Sequence, residues 1–149
     1  MLNCPEFENL HRIPCTAQDI IHLEQQIGSP LPKAYKELFL EPMGRGSDGF
    51  LKGEDCFYPH LFKIQAWAKE LLEENNFPAP LPDDAFVFFM HQGYQFSFFR
   101  LTEGDHPPTY SFVEGQKELT FIKSHERFAE FLLTEWNLYK QAMSSLVAC

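Results

Sequence analysis

The sequence predicts an α+β fold: an antiparallel, meander-like sheet of about four to six strands, helices packed at one face, and a closing C-terminal helix. Three observations carry this expectation. Between Ala85 and Leu101 the chain reads AFVFFMHQGYQFSFFRL, two aromatic runs around a glycine-containing pivot, which is the pattern of a β-hairpin. Helical periodicities lie before that hairpin and again at the end of the chain, instead of alternating with strands as a parallel sheet requires. Short apolar runs joined by polar turns follow the hairpin directly.

Taken in order, the lead-in from Met1 to Pro14 offers Phe7, Leu10 and Ile13 for packing, punctuated by Pro5 and Pro14. Thr16 is placed as an N-cap, with Asp19 three residues on where a capping box usually carries Glu or Gln. Ile20, Leu23 and Ile27 follow at helical spacing and Gly28 stops the helix. His22, Glu24 and Gln25 fall on its solvated side. Ser29-Pro30-Leu31-Pro32 then breaks the chain, and Pro32 suits the first turn of a second helix. That helix runs from Lys33 to about Leu40, buries Tyr35, Leu38 and Phe39, and ends before Pro42. The segment Met43 to Gly49 is the most glycine-rich in the chain. It follows a helix and lacks the GK[ST] ending of a phosphate cradle, so it reads as a turn or bulge entering a first strand around Phe50-Leu51. Beyond the connector Cys56 to His60, a third helix from about Phe62 to Glu74 shows the stripe Ile64, Trp67, Ala68, Leu71 and Leu72. Pro78-Ala79-Pro80-Leu81-Pro82 sets the angle at which the chain enters the hairpin.

The first hairpin arm, Phe86 to Met90, is apolar at every position and is expected to be a central strand covered on both faces. The second arm alternates Tyr94, Phe96 and Phe98 against Gln95 and Ser97, so it is expected to keep one wet face. After the polar loop Thr102 to Pro108, Thr109 to Val113 reads as a strand with Tyr110 and Phe112 on one face. Glu118 to Ile122 reads as another, with Leu119 and Phe121 inward. Ser124 caps a final helix whose stripe is Phe128, Phe131, Leu132, Trp136 and Tyr139, and the tail after Met143 frays.

A chain of 149 residues with 44% apolar content and sixteen phenylalanines is most simply one domain, 1–149, with a core built from rings. The formal charge of −9 supplies no basic patch for nucleic acid and opposes docking on an anionic membrane surface. An acidic surface favours cationic protein partners. No apolar stretch approaches the ~20 residues of a bilayer span and no secretory signal is visible, so the expected location is cytoplasmic. Cys4, Cys15, Cys56 and Cys149 are scattered without a CxxC pair and read as reduced thiols.

Chemistry-bearing patterns are sparse. Cys56 with His60 would be two metal ligands without a second pair, HExxH and GxSxG are absent, and neither a metal nor a cofactor is expected. Nothing in the spacing favours a nucleophile–base set drawn from Cys56, His91 and Asp84. The acid pairs Glu54-Asp55, Glu73-Glu74 and Asp83-Asp84 read as solvated charge or as part of an acidic docking surface. His125, just after the helix cap, is placed at the surface. His91 occupies the hairpin pivot, in a loop, where function concentrates. No catalytic residue is assigned, and the expectation is a protein that is not an enzyme.

Three segments, in order, carry a resemblance. The first is Ile27-Gly28-Ser29-Pro30-Leu31-Pro32-Lys33-Ala34-Tyr35-Lys36-Glu37-Leu38-Phe39, leading into Gly44 and Gly46. The second is Phe89-Met90-His91-Gln92-Gly93-Tyr94-Gln95-Phe96 with Phe98-Phe99. The third runs from Pro107-Pro108-Thr109-Tyr110 through Glu114-Gly115 to the helix Ser124 to Leu132. From about Thr16 to Trp136 the set resembles the SMI1/KNR4 family of the SUKH superfamily. The chain departs from many members at Met43-Gly44, where they carry Asn-Gly, and at His91-Gln92-Gly93, where they have a more glycine-rich or acidic turn. The resemblance implies a compact, non-enzymatic α+β domain. Bacterial members are thought to be immunity proteins that neutralise toxins, often nucleases or deaminases, and eukaryotic relatives act as regulatory or scaffolding modules. The expected partner is thus another protein, a basic toxin domain under the first reading, with Asp48, Glu54, Asp55, Tyr58, Asp83, Asp84, His91 and Tyr94 as interface candidates alongside Glu103 and Asp105. A scaffold module without a toxin partner is the second reading. A small-ligand domain or enzyme is the third, and it requires a concave pocket near His91 or the glycine loop. The sequence does not fix an oligomeric state.

Overall fold

The computed structural model describes residues 4–148. Met1 to Asn3 and Cys149, with the terminal thiol expected to be reduced, lie outside the described residues. The lead-in folds into a helical turn, α1 (Pro5–Glu8), and a two-residue strand, β1 (Arg12–Ile13). Phe7 is buried with its ring 5.5 Å from that of Trp136, edge to face.

Helix α2 (Ala17–Ile27) starts where the sequence places it. Asp19 N–H donates to the Thr16 hydroxyl at 3.1 Å, and the Asp19 carboxylate accepts Thr16 N–H at 3.0 Å, so the capping box closes with Asp at its third position. Glu24 is not solvated as expected. It reaches across the Pro30 break to accept Leu31 N–H at 2.6 Å and Lys36 Nζ at 3.3 Å.

The second helical run passes the proline that was expected to end it: α3 (Lys33–Tyr35) leads into a π-helical turn over Lys36–Leu40, then α4 (Glu41–Met43). Glu41 N–H bonds to the Lys36 carbonyl, one residue further back than in an α-turn. This widened turn takes up the Pro42 ring, which would clash in regular α-helix. Strand β2 (Gly46–Ser47) then pairs antiparallel with β1. The strand expected around Phe50-Leu51 is therefore displaced upstream. The lead-in supplies its partner, through Arg45 N–H to the Ile13 carbonyl (2.9 Å) and Asp48 N–H to the His11 carbonyl (3.0 Å). Phe50 instead sits in a turn, wholly buried against Trp136.

Helix α5 (Leu61–Glu74) buries Ile64, Ala68, Leu71 and Leu72. Trp67, expected on the same stripe, is 39% exposed beside His60. The helix packs along the edge of a sheet.

That sheet comprises β3 (Ala85–His91), β4 (Gln95–Arg100), β5 (Thr109–Val113) and β6 (Ile122–His125), antiparallel and in sequence order. The order inverts the expectation for the hairpin. The all-apolar arm β3 is an edge strand, and the alternating arm β4 is internal, with Ser97 3% exposed and Phe99 fully buried. The edge of β3 is closed by other means. The Gln65 side chain donates to the Val87 carbonyl at 2.7 Å and accepts Val87 N–H at 2.9 Å, and Asp55 exchanges backbone hydrogen bonds with Met90. A bulge between Val87 and Phe89 shifts the register there. It directs both Phe88 and Phe89 onto Phe131 of the closing helix, at 4.9 and 5.4 Å.

The Gln116 amide donates to the carbonyls of Glu118 and Thr120, holding that stretch as a loop, so β6 begins later than expected. Leu119, expected inward, is 68% exposed, while Phe121 packs against Phe77 and Phe98. Ser124 is a strand residue whose hydroxyl bonds Thr109, 2.8 Å away, and it caps nothing. Helix α6 (Phe128–Ala148) begins four residues later, Phe128 N–H donating to the Pro107 carbonyl, and it continues through the tail expected to fray. His125 is half-buried against Phe131 and Thr109 instead of standing at the surface. At the centre of the core Tyr35 meets Phe39, Phe86, Phe99 and Phe128, all within 5.8 Å. Among the described residues no helix is long and apolar enough to cross a membrane.

Candidate functional site

The hairpin tip, the connector between β2 and α5, and the closing helix α6 converge at one end of the sheet. The tip turns through Gln92 and Gly93, both at positive φ (48° and 78°), a conformation natural to the glycine and costly to the glutamine. Tyr94 follows, 39% exposed, with its ring 5.4 Å from that of His91. His91 Nδ1 lies 2.8 and 2.7 Å from the two carboxylate oxygens of Glu54. Glu54 is delivered there because the next residue, Asp55, is stitched to Met90 by two backbone hydrogen bonds of 3.0 and 2.9 Å. From α6, Glu135 lies within electrostatic reach of the same pair. Burial pushes its carboxyl up, the Glu54 charge adds to that, and His91 opposes it. Behind them Cys56 is completely buried. Burial raises its thiol first, and the charges of Glu54, Asp55 and Glu135 raise it further.

A second constellation, which sequence reasoning missed, holds the glycine loop. Arg45 donates to Asp19 from Nε at 2.6 Å and from Nη2 at 2.7 Å, a bidentate pair spanning 26 residues. The Arg45 hydrogen bond outweighs burial and holds the Asp19 carboxyl far below the usual carboxylate range. The Arg45 guanidinium also covers the Tyr58 ring at 5.0 Å, and Tyr58 Oη lies 2.7 Å from His22 Nδ1. Beneath it burial pushes the Cys15 thiol up to about 12, leaving it a neutral packing group at neutral pH. Gly44 has to be glycine, because a Cβ there would run into Cys15 Sγ and lie 2.7 Å from the Leu40 carbonyl oxygen. The capping box marked Asp19 as a local helix residue, but no local pattern pairs it with Arg45.

The remaining interface candidates are spread out. Asp48 is exposed and accepts His11 N–H at 3.2 Å. Asp83 is exposed at the far end of β3. Its neighbour Asp84 accepts Arg100 Nε at 2.8 Å and the Thr102 hydroxyl; burial raises its carboxyl, but the bonds from Thr102 and Arg100 together hold it below the ordinary range. Glu103 accepts the Tyr110 hydroxyl at 2.9 Å, and Asp105 accepts Lys33 N–H at 3.3 Å. The structure thus gathers Glu54, Asp55, His91 and Tyr94 at one end of the sheet and puts Asp83 and Asp84 at the other, with Asp48 and Tyr58 beside the glycine loop.

Cys56, His91 and Asp84 do not assemble, because Asp84 precedes β3 and His91 ends it. Cys56 is buried while His60 is exposed. No group of three or more His, Cys, Asp or Glu side chains is placed to hold a metal ion among the described residues. A groove of about 650 Å³ runs between Ala17 to Ile21 and Pro30 to Glu41, and another of about 620 Å³ borders the end of α5 and the proline spacer; His91 lines neither.

Comparison with known families adds the assignment that geometry alone cannot make. The sequence model of the SMI1 / KNR4 family (SUKH-1) matches residues 14–134, a stretch running from the end of the lead-in to the first third of α6. No curated protein matches the chain. With the match covering most of its length, the chain belongs to the SMI1/KNR4 family, SUKH-1.

Proposed function

We propose that this protein is a non-enzymatic, protein-binding module of the immunity type, which neutralises a basic toxin domain in the cytoplasm by occluding it. Family membership over residues 14–134 is the observation that carries this reading. The formal charge of −9 supports it, because complementary potentials steer an acidic inhibitor toward a cationic partner and accelerate the encounter. The end of the sheet bearing Glu54, Asp55, His91 and Tyr94 is the favoured contact surface. It combines an exposed aromatic ring with carboxylates already fixed by the fold, so little side-chain freedom is lost on binding.

Two measurements test the reading. The product of the neighbouring gene, co-expressed with this chain, is expected to co-purify and to lose its toxicity to the host cell. The absence of both a stable complex and rescue, with every candidate toxin, overturns the reading. In an established complex, Tyr94→Ala is expected to weaken affinity at least about tenfold. Unchanged affinity there, together with a loss for Asp83→Ala or Asp84→Ala, moves the contact surface to the opposite end of the sheet.

A further inference from the structure

Between α2 and the run from α3 to α4 lies the groove of about 650 Å³. Part of its lining is apolar. Cys15 and Leu31 are buried there, Ile20 is half-buried, and Ile21 is 44% exposed. The walls are fixed by the fold. Glu24 accepts Leu31 N–H at 2.6 Å and Lys36 Nζ at 3.3 Å, and the Leu40 carbonyl accepts Cys15 N–H at 2.9 Å. Asp105 holds the start of α3, its carbonyl accepting Ala34 N–H at 3.0 Å and its carboxylate Lys33 N–H at 3.3 Å. A groove tied together in this way is pre-organised, which lowers the ordering cost of binding. The charges around it do not cancel. Lys36 is held by Glu24 at 3.3 Å and Lys33 faces Glu37 at 3.9 Å, so each lysine lining the groove has its acid. Glu41 and Asp105 also line it and are exposed, and neither forms a salt bridge among the described residues. Apolar lining with two uncompensated carboxylates, on a chain of charge −9, favours an occupant that brings apolar surface and positive charge together.

We propose that this groove is a second protein-docking surface, and that its occupant is a basic amphipathic segment of a partner protein. Apolar side chains of that segment lie against Ile20, Ile21 and Leu31, and its lysine or arginine side chains stand against Glu41 and Asp105. Recognition of a helix in a groove divides its work in this way: apolar anchors three and four residues apart supply burial, and flanking charges fix register. An anionic occupant is disfavoured, because both lysines are already matched and the free charges are carboxylates. A second copy of this chain is disfavoured as well, since it brings a further charge of −9 to an acidic rim. The surface is distinct from the end of the sheet, for none of Glu54, Asp55, His91 and Tyr94 lines the groove.

The probe is a synthetic amphipathic peptide of leucine and lysine, about four helical turns long, with a leucine–glutamate peptide of the same pattern as its counterpart. Each is titrated into the isotope-labelled full chain and followed by amide chemical shifts. The leucine–lysine peptide is expected to bind with shifts concentrated at Ile20, Ile21, Lys36 to Glu41 and Asp105. The leucine–glutamate peptide is expected not to bind. Glu41→Gln combined with Asp105→Asn removes both charges and leaves an oxygen to accept Lys33 N–H; it is expected to lower affinity about tenfold. Ile21→Ser, at a position already exposed, is expected to lower it by a similar factor. Urea midpoints of both variants check that the fold is intact. The proposal is overturned by no binding at about millimolar peptide, by shifts scattered over the surface or centred on Glu54 to Tyr94, by equal binding of the acidic peptide, or by an affinity that either variant leaves unchanged. The measurement needs no toxin, so this surface and the sheet-end reading can fail separately.

Discussion

Tyr35 places its hydroxyl in the middle of the aromatic core with no hydrogen-bond partner, and burial pushes its ionisation well above the usual phenol value. A buried polar atom without a partner carries its desolvation cost uncompensated. Tyr35→Phe removes that atom while keeping the ring and its five aromatic neighbours. The expected result is stability within about 1 kcal/mol of the natural protein and on the stabilising side, read by urea denaturation. Two other side chains set the acid response. The Asp19 carboxyl is depressed by Arg45, so its contribution is fully present above the ordinary carboxylate value and is lost as pH falls below about 4. The His125 imidazole is depressed by burial, so its contribution is present above the ordinary imidazole value and is lost as pH falls through the lowered one. The stability advantage of the natural protein over His125→Asn is therefore expected to be larger at pH 8 than at pH 5. An equal advantage at both would show that burial does not hold this ring neutral.

At the scale of elements, the edge of β3 is the part most dependent on a single side chain. Gln65 satisfies both backbone groups of Val87, which would otherwise point into the space under α5. Gln65→Leu is expected to cost about 1–3 kcal/mol in urea denaturation and to promote association through the opened edge, visible by light scattering. The same strand shows what the sequence could reveal. A run of five apolar residues correctly announced a strand buried on both faces, yet burial and position in a sheet are different properties. An edge covered by a helix, a glutamine and a bulge has the same composition as a centre. The period-2 alternation of β4 failed for a related reason. Ser97 is small enough to be buried opposite Phe89, so its polarity marked no wet face. Helix starts with local chemistry, such as Thr16 with Asp19, were legible. Ser124 had the right residue type for a cap, but its hydroxyl was claimed by a strand neighbour fifteen positions away. The candidate site divides in the same way. His91 in a pivot and Glu54 in a connector were visible as types in loops, whereas their mutual contact, 37 positions apart, and the Asp19–Arg45 pair needed the fold.

Across the whole molecule, the family's matched segment is bracketed by two pieces that fold onto each other. Phe7 from the lead-in and Trp136 and Tyr139 from α6 enclose Phe50, and Gly49 is held between Leu10 and the Tyr139 hydroxyl, where a Cβ would lie 2.8 Å from Leu10 Cδ2. Trp136→Ala is expected to cost about 3–5 kcal/mol, the range for emptying a large aromatic site in a packed core. A loss below 1 kcal/mol in thermal or urea denaturation would mean that this seam contributes little to the fold. The seam also has an optical consequence. The chain has two tryptophans, Trp67 at 39% exposed and Trp136 at 1%. Iodide in solution reaches the first and not the second, so the emission left after quenching comes from Trp136 alone. Because that indole stands edge-on to Phe7, the residual signal reports in real time whether the first helical turn is docked, without any label attached to the protein.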